Sequence, residues 1–207
     1  MYAVTGITGQ VGGAVARTLM AQGENVRAVA RDASKAVPWV ERGCDLAIAE
    51  MSDASALTRA FAGADGVFVL IPPTFDPSPG FTEAGAVVSA VRHALAEARP
   101  ARTVCLSTVG AQATQPNLLN QLAMMERELG ALDLPIAFLR AAWFLENAAS
   151  DVPSAREGAI QSFLQPLDRA IPMVATPDIG AALLASRATA RTFAPSPSSV
   201  RATAPPT

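Results

Sequence analysis

Five residues into the chain an apolar run breaks on a glycine-rich turn: MYAVT is followed by GITGQVGG and then by AVARTLMAQG. Gly6, Gly9 and Gly12 stand in a G-x-T-G-x-x-G spacing, and few architectures put such a turn between an apolar strand and a helix. Val11, Val15, Leu19 and Met20 recur at helical intervals beyond the turn, and Gly23 marks the end of that helix. NVRAVA, residues 25–30, reads as a second strand. Strand, glycine turn, helix and strand within about 30 residues form a βαβ unit.

The alternation continues down the chain. Ser34–Arg42 reads as a short helix with Pro38 near its first turn, and Cys44–Ala49 as a third strand. Asp53 is placed to cap a helix running to Ala62. Gly66–Ile71 is a continuous apolar run, the mark of a strand buried on both faces, and Pro72 and Pro73 stop it. A helix is expected over Phe81–Ala98, with Ala84, Val88, Val91 and Leu95 on one face. Arg102–Leu106 is a fifth strand, Leu118–Gly130 a helix and Ile136–Arg140 a sixth strand. Strands alternating with helices predict an α/β fold, a doubly wound parallel sheet of the Rossmann kind. Residues 1–147 would form this dinucleotide-binding domain, and 148–189 a short C-terminal substrate lobe packed on it. Within the lobe, Gly158–Leu164 reads as a strand and Asp178 as the cap of a helix through Ser186. Residues 190–207 hold four prolines and no apolar period, and are expected to be a disordered tail.

Given that context, each glycine of the turn has a task. Gly6 permits the tight turn, Gly9 lets the backbone approach a pyrophosphate, and Gly12 lets the helix pack on the strand. The helix N-terminus, where Gln10 and Val11 lie, offers free N–H groups and a partial positive charge to phosphates. Thr8 and Gln10 add side-chain donors. At the end of the second strand an acid suits NAD and an arginine suits the 2′-phosphate of NADP. Arg31 stands nineteen residues after Gly12, with Lys35 close behind. A guanidinium matches phosphate in a planar fork, so NADP(H) is preferred over NAD(H). Asp32 keeps NAD open, since a one-residue shift of register would bring an acid to that place.

Scarcity excludes several chemistries. The chain has 16 basic and 18 acidic residues, a balance unsuited to nucleic acid. Its single histidine, His93, rules out a multi-histidine zinc site, and no metal is expected. His93 reads as a solvent-face residue, four before Glu97. Cys44 and Cys105 fall on strands too far apart to bridge. Mean hydropathy is +0.27, yet no apolar stretch is long enough to cross a membrane. The start of the chain shows no basic leader, so a cytoplasmic location is the expectation. Trp39 is expected to pack the second helix onto the sheet. Leu122, Met124, Met125 and Leu129 read as helix core, the alternative being the face of a homodimer.

The ordered set GITGQVG, RAVARD, EMSDASAL, GVFVLIPP, LSTVGA, FLRAAWFLEN and IPMVATPDIG resembles the NmrA-like atypical short-chain dehydrogenases, which include NAD(P)H-dependent quinone reductases. The resemblance runs from Val4 to about Gly180. It implies that Glu50 and Met51 lie near the adenine, and that Leu70, Ile71 and Pro72 run along the ribose. It also implies that Ser107 and Thr108 approach the nicotinamide, and that Trp143, Phe144 and Asn147 line the cleft beyond. The chain departs from its relatives in two respects: its only tyrosine, Tyr2, and only lysine, Lys35, cannot form the Tyr-Lys proton relay of typical short-chain dehydrogenases, and the family-like text stops near Gly180, short of the larger C-terminal lobe that closes over the substrate in relatives. Some relatives carry a histidine or lysine where Asn120 and Gln121 stand. No catalytic residue is therefore assigned. Hydride transfer to an electrophilic small-molecule acceptor needs no such relay, and a non-catalytic redox sensor of the NmrA kind is the alternative.

Overall fold

The computed structural model describes residues 1–162 and 164–186. Alternation in the sequence becomes alternation in space: β1 (Tyr2–Thr5), α1 (Gln10–Ala21), β2 (Val26–Ala30), α2 (Ala33–Val40), β3 (Asp45–Ile48), α3 (Ala54–Phe61), β4 (Gly66–Val69), α4 (Thr82–Ala98), β5 (Arg102–Thr108), α5 (Asn120–Gly130) and β6 (Ile136–Ala141). All six strands are parallel, in the order β3-β2-β1-β4-β5-β6. The chain winds outward from β1 to β3 and then crosses to β4 on the other side of β1. The sheet therefore has a switch point at the carboxyl ends of β1 and β4, where α/β folds of this kind bind ligands.

Two apolar layers hold the helices to the sheet. On one face Val11, Val15 and Leu19 of α1 and Trp39 of α2 pack against Val4, Ala28 and Phe68. On the other, Leu57 and Phe61 of α3, Val91 and Leu95 of α4, and Met125 and Leu129 of α5 pack against Val67, Val69 and Cys105. Met124 is half-buried at the margin, and His93 is exposed as expected. The Asp53 carboxylate accepts from the Ala56 N–H at 2.9 Å, capping α3 as the sequence indicated.

Several local expectations are corrected. Pro38 is the sixth residue of α2, outside its first turn, so the helix forgoes one backbone bond and ends within one turn of it. Cys44 precedes β3; both it and Cys105 are free and buried, and burial pushes both thiols up. The described residues of 158–164 form no strand. Instead β7 (Trp143–Phe144) pairs in parallel with β8 (Met173–Val174), after a 3-10 turn (Leu145–Asp151) and α6 (Val152–Arg156). Asp178 lies inside α7 (Thr176–Ser186), not at its cap. Glu146 fills that role: its Oε1 accepts from the Thr176 N–H at 2.8 Å and from the Thr176 hydroxyl at 2.9 Å. α7 then lies on α1, with Ile179 and Leu183 buried. A Cβ at Gly180 would come within 2.3 Å of Thr18 Oγ1 and 3.3 Å of the Ala14 carbonyl, so the two helices meet at a glycine. The expected tail, residues 190–207, lies outside the described residues.

Candidate dinucleotide site

The turn between β1 and α1 is built around Gly6, whose φ of +63° favours glycine. Its carbonyl accepts from the Gly9 N–H at 3.0 Å, and Gly9, in extended conformation, is the N-cap of α1. Ile7 is fully buried and pins the turn to the core, a role the motif alone did not signal. Gly12 has a severe steric reason to be glycine: a Cβ there would lie 2.2 Å from the Gly6 carbonyl oxygen and 2.8 Å from the Ile7 nitrogen. Gly9 differs. A Cβ on it would meet only the Gly6 oxygen, at 3.4 Å, an ordinary contact. The space above Gly9 is thus not needed by the protein itself.

The first intrahelical bond of α1 runs from the Gly13 N–H to the Gly9 carbonyl at 3.0 Å, so the N–H groups of Gln10, Val11 and Gly12 have no acceptor within the helix. No side chain caps this end, and no acidic residue lies in its first turn. Thr8, Gly9 and Gln10 are exposed. Such an end attracts anions.

The carboxyl ends of β1 and β4 are tied together through Thr5, which is fully buried. Its hydroxyl oxygen accepts from the Leu70 N–H at 2.7 Å and donates to the Phe68 carbonyl at 3.2 Å. Leu70 thereby lies over the turn, its Cδ2 3.3 Å from where a Gly6 Cβ would be. Ile71 is buried and Pro72 exposed.

Arg31 is exposed at the end of β2, and Lys35 is exposed on the first turn of α2. Asp32, the residue that kept NAD open, is the N-cap of α2. Its carboxylate accepts from the Ser34 hydroxyl at 2.6 Å and the Ser34 N–H at 2.9 Å, which hold it below the usual carboxylate range. Both bonds end on Asp32 Oδ1, and the Arg31 guanidinium and the Lys35 ammonium lie exposed on either side of it. Glu50 is exposed and Met51 half-buried in the turn between β3 and α3.

At the far half of the sheet, Ser107 and Thr108 end β5. Ser107 is buried, and its hydroxyl donates to Glu126 Oε1 on α5. Arg140 of β6, the register partner of Ser107, donates through Nε to the same oxygen at 2.8 Å and through Nη2 to Oε2. Burial alone would raise the Glu126 carboxyl, but these bonds outweigh it and hold the group below the usual glutamate range. The sequence reading missed Glu126 and Arg140, since residues fourteen apart on a helix and a strand show no local pattern. It also left Gln121 without a role. Its Nε2 donates to the Thr74 carbonyl at 2.9 Å, tethering the loop after β4 to α5. Thr108 is half-buried, with its hydroxyl donating to the Val109 carbonyl at 3.0 Å.

Trp143 and Met173 are register partners in the β7–β8 pair, and both are exposed. Phe144 packs on the core, and Asn147 is half-buried in the 3-10 turn. Phe75, Val109, Leu118, Leu119 and Leu145 are also exposed, and all sit in segments that follow β4, β5 or β6. Among the described residues no group of side chains could hold a metal ion, and no helix is long and apolar enough to cross a membrane.

A family model described as NAD(P)H-binding matches residues 6–163. The chain belongs to this NAD(P)H-binding family. One neighbour is the triphenylmethane reductase of a Citrobacter species, complexed with NADP(H): TM-score 0.75 and 22% identity, over 88% of this chain and 63% of that one. A second is the NADPH-dependent quinone oxidoreductase of Escherichia coli complexed with NADPH, with TM-score 0.66 and 25% identity over 76% of this chain and 54% of that one. A nucleoside-diphosphate-sugar epimerase from Staphylococcus aureus has TM-score 0.75 and 19% identity, over 91% of this chain and 66% of that one. The chain thus spans under two thirds of the length of the reductases it resembles. No curated protein matches it by sequence.

Proposed function

We propose that the chain is an NADP(H)-dependent reductase acting on an apolar, electrophilic acceptor such as a quinone. The observation that carries the cofactor is the β1–α1 turn: an uncapped helix end with no acid in its first turn, beneath a Gly9 whose missing side chain the fold itself does not require. A diphosphate fits both features, and Thr8 and Gln10 would add donors to it. Arg31, with Lys35 behind it, would receive the 2′-phosphate, both being exposed at the end of β2. Glu50 and Met51 would flank the adenine, and Leu70, Ile71 and Pro72 the ribose. The switch point then directs the nicotinamide toward the ends of β4, β5 and β6, where Ser107 and Thr108 lie.

A bound reduced nicotinamide would supply hydride; the chain's own residues would position the acceptor and exclude water. Trp143, Phe144 and Asn147 are the proposed acceptor-side lining, and the exposed Trp143–Met173 pair offers a flat apolar surface for a planar molecule. No Tyr-Lys relay is available to that lining: Tyr2 is buried in β1, and Lys35 is on α2. The proton that follows hydride would come from solvent, which suits an acceptor that is already electrophilic. The segment 148–189 would act as a short substrate lobe, located in the cytoplasm with the rest of the chain.

Thermal unfolding titrated with NADPH, NADP, NADH and NAD tests the reading. Ligand at 100 times Kd stabilises by about 2.7 kcal/mol, which is roughly 5–10 °C for a chain of this size. NADPH should give the largest shift, and added benzoquinone should accelerate NADPH oxidation above the rate without protein. A shift with none of the four coenzymes would refute the proposal. The missing Tyr-Lys pair and the short substrate lobe favour a second reading, a redox sensor; NADPH binding without turnover of any quinone would select it.

A further inference from the structure

The buried network at the end of β5 fixes the direction in which Ser107 can hydrogen-bond. A serine hydroxyl has one proton and two lone pairs. The Ser107 proton is given to Glu126 Oε1. Glu126 cannot return one, because Arg140 donates to both of its oxygens, through Nε at 2.8 Å and through Nη2, and so favours the ionised carboxylate. Arg140 is itself aligned by its place in β6, directly across the ladder from Ser107, and Nη1 reaches Gln112 Oε1 at 3.4 Å. The three side chains come from β5, α5 and β6 and leave Ser107 Oγ with lone pairs only.

We propose that Ser107 is a fixed acceptor that positions the nicotinamide through the N–H of its carboxamide, its polarity being set by Glu126 and Arg140. This rests on the cofactor reading above, which brings that ring to the end of β5. A carboxamide presents a carbonyl at one end and an NH2 at the other, and rotation about its bond to the ring exchanges them. An acceptor that cannot become a donor admits only the NH2 end and so fixes that rotation. The same polarity bars Ser107 from protonating an acceptor oxygen. Ser107, Glu126 and Arg140 are positioning residues in this scheme.

The test compares equilibrium binding of NADPH with that of its 3-acetylpyridine analogue, which keeps the carbonyl and replaces NH2 by methyl. The wild-type chain should bind NADPH about tenfold more tightly, the usual worth of one hydrogen bond. Ser107→Ala should lose that preference, and Ser107→Thr, which keeps the hydroxyl on a strand, should restore it. Glu126→Ala should lose it with Ser107 still in place, since the hydroxyl is then free to rotate. Unfolding temperatures measured without coenzyme identify any variant that fails to fold, and the Ser107→Ala and Ser107→Thr pair is sufficient by itself. If Ser107→Ala binds both coenzymes with the wild-type ratio, the inference is overturned while the cofactor site stands. If the wild-type chain binds neither, both fall.

Discussion

Replacing Gly12 with alanine puts a methyl carbon 2.2 Å from the Gly6 carbonyl oxygen, 2.5 Å from its carbon and 2.8 Å from the Ile7 nitrogen. All three are backbone atoms of a turn whose neighbours are pinned, Ile7 in the core and Gly9 by its bond to Gly6, so no side chain can rotate away. Either α1 must lift from the turn or the turn must reshape. Overpacking costs about 1–3 kcal/mol, and an overlap of this depth against backbone belongs at or above the top of that range. The higher helix propensity of alanine returns about 1 kcal/mol. The net loss should be about 2 kcal/mol, which lowers the unfolding temperature by roughly 4–8 °C. Gly9→Ala is the control. Its methyl meets one atom at 3.4 Å, and its φ of −94° suits any residue. Stability should therefore change by less than about 1 kcal/mol, as for a weaker N-cap, while NADPH affinity falls at least tenfold because the methyl occupies the phosphate's space. Circular-dichroism melts without coenzyme, followed by NADPH titration, separate the two effects. A Gly12→Ala chain that melts with the wild type, or a Gly9→Ala chain that binds NADPH normally, would refute the division of roles between these glycines.

Arg31→Asp should reverse the coenzyme preference from NADP toward NAD in the same titration; an unchanged ratio would mean that the guanidinium faces only solvent. Glu126→Gln should cost about 2 kcal/mol at neutral pH, by leaving Arg140 incompletely paired in a partly buried place. Because the folded carboxyl lies below its ordinary value, its stabilisation is present above about pH 4.5 and is lost as pH falls through the lowered pKa. The variant should accordingly show a shallower acid limb in chemical-denaturation midpoints measured from pH 7 to pH 3. Gly180→Ala should lower stability by about 1–3 kcal/mol through its clash with Thr18, and Thr18→Ala in the same chain should recover much of it; strict additivity in this cycle would deny the contact. Glu146→Ala should speed amide hydrogen exchange at Thr176, the N–H that Glu146 holds at the start of α7, and unchanged exchange would deny that bond a role.

Features carried by local rules were legible in the sequence. The Gly6–Gly12 spacing, the Asp53 cap and the period of Ala84, Val88, Val91 and Leu95 each state a backbone or burial requirement within a few residues, and all appear where expected. Beyond Ala141 that grammar thins. The strands β7 and β8 have two residues each, too short for any period to register, and what defines them is their pairing across thirty residues. Asp178 resembled a cap because capping is usually local, yet α7 takes its cap from Glu146, thirty positions earlier. The expected strand near residue 160 failed because nothing pairs with it among the described residues.

By itself the sequence determined the winding of the sheet and the glycine-built turn between β1 and α1, because glycine spacing and alternating apolar runs constrain dihedrals and burial one element at a time. It also offers no Tyr-x-x-x-Lys spacing, since its one tyrosine, Tyr2, and its one lysine, Lys35, stand far apart along the chain. Tertiary structure alone decided that Glu146 holds the start of α7, that Ser107 gives its proton to Glu126, and that α7 closes on α1 through Gly180. Those choices depend on which side chains meet when distant elements pack, and a polar group's partner is set by distance in space, which order along the chain does not encode.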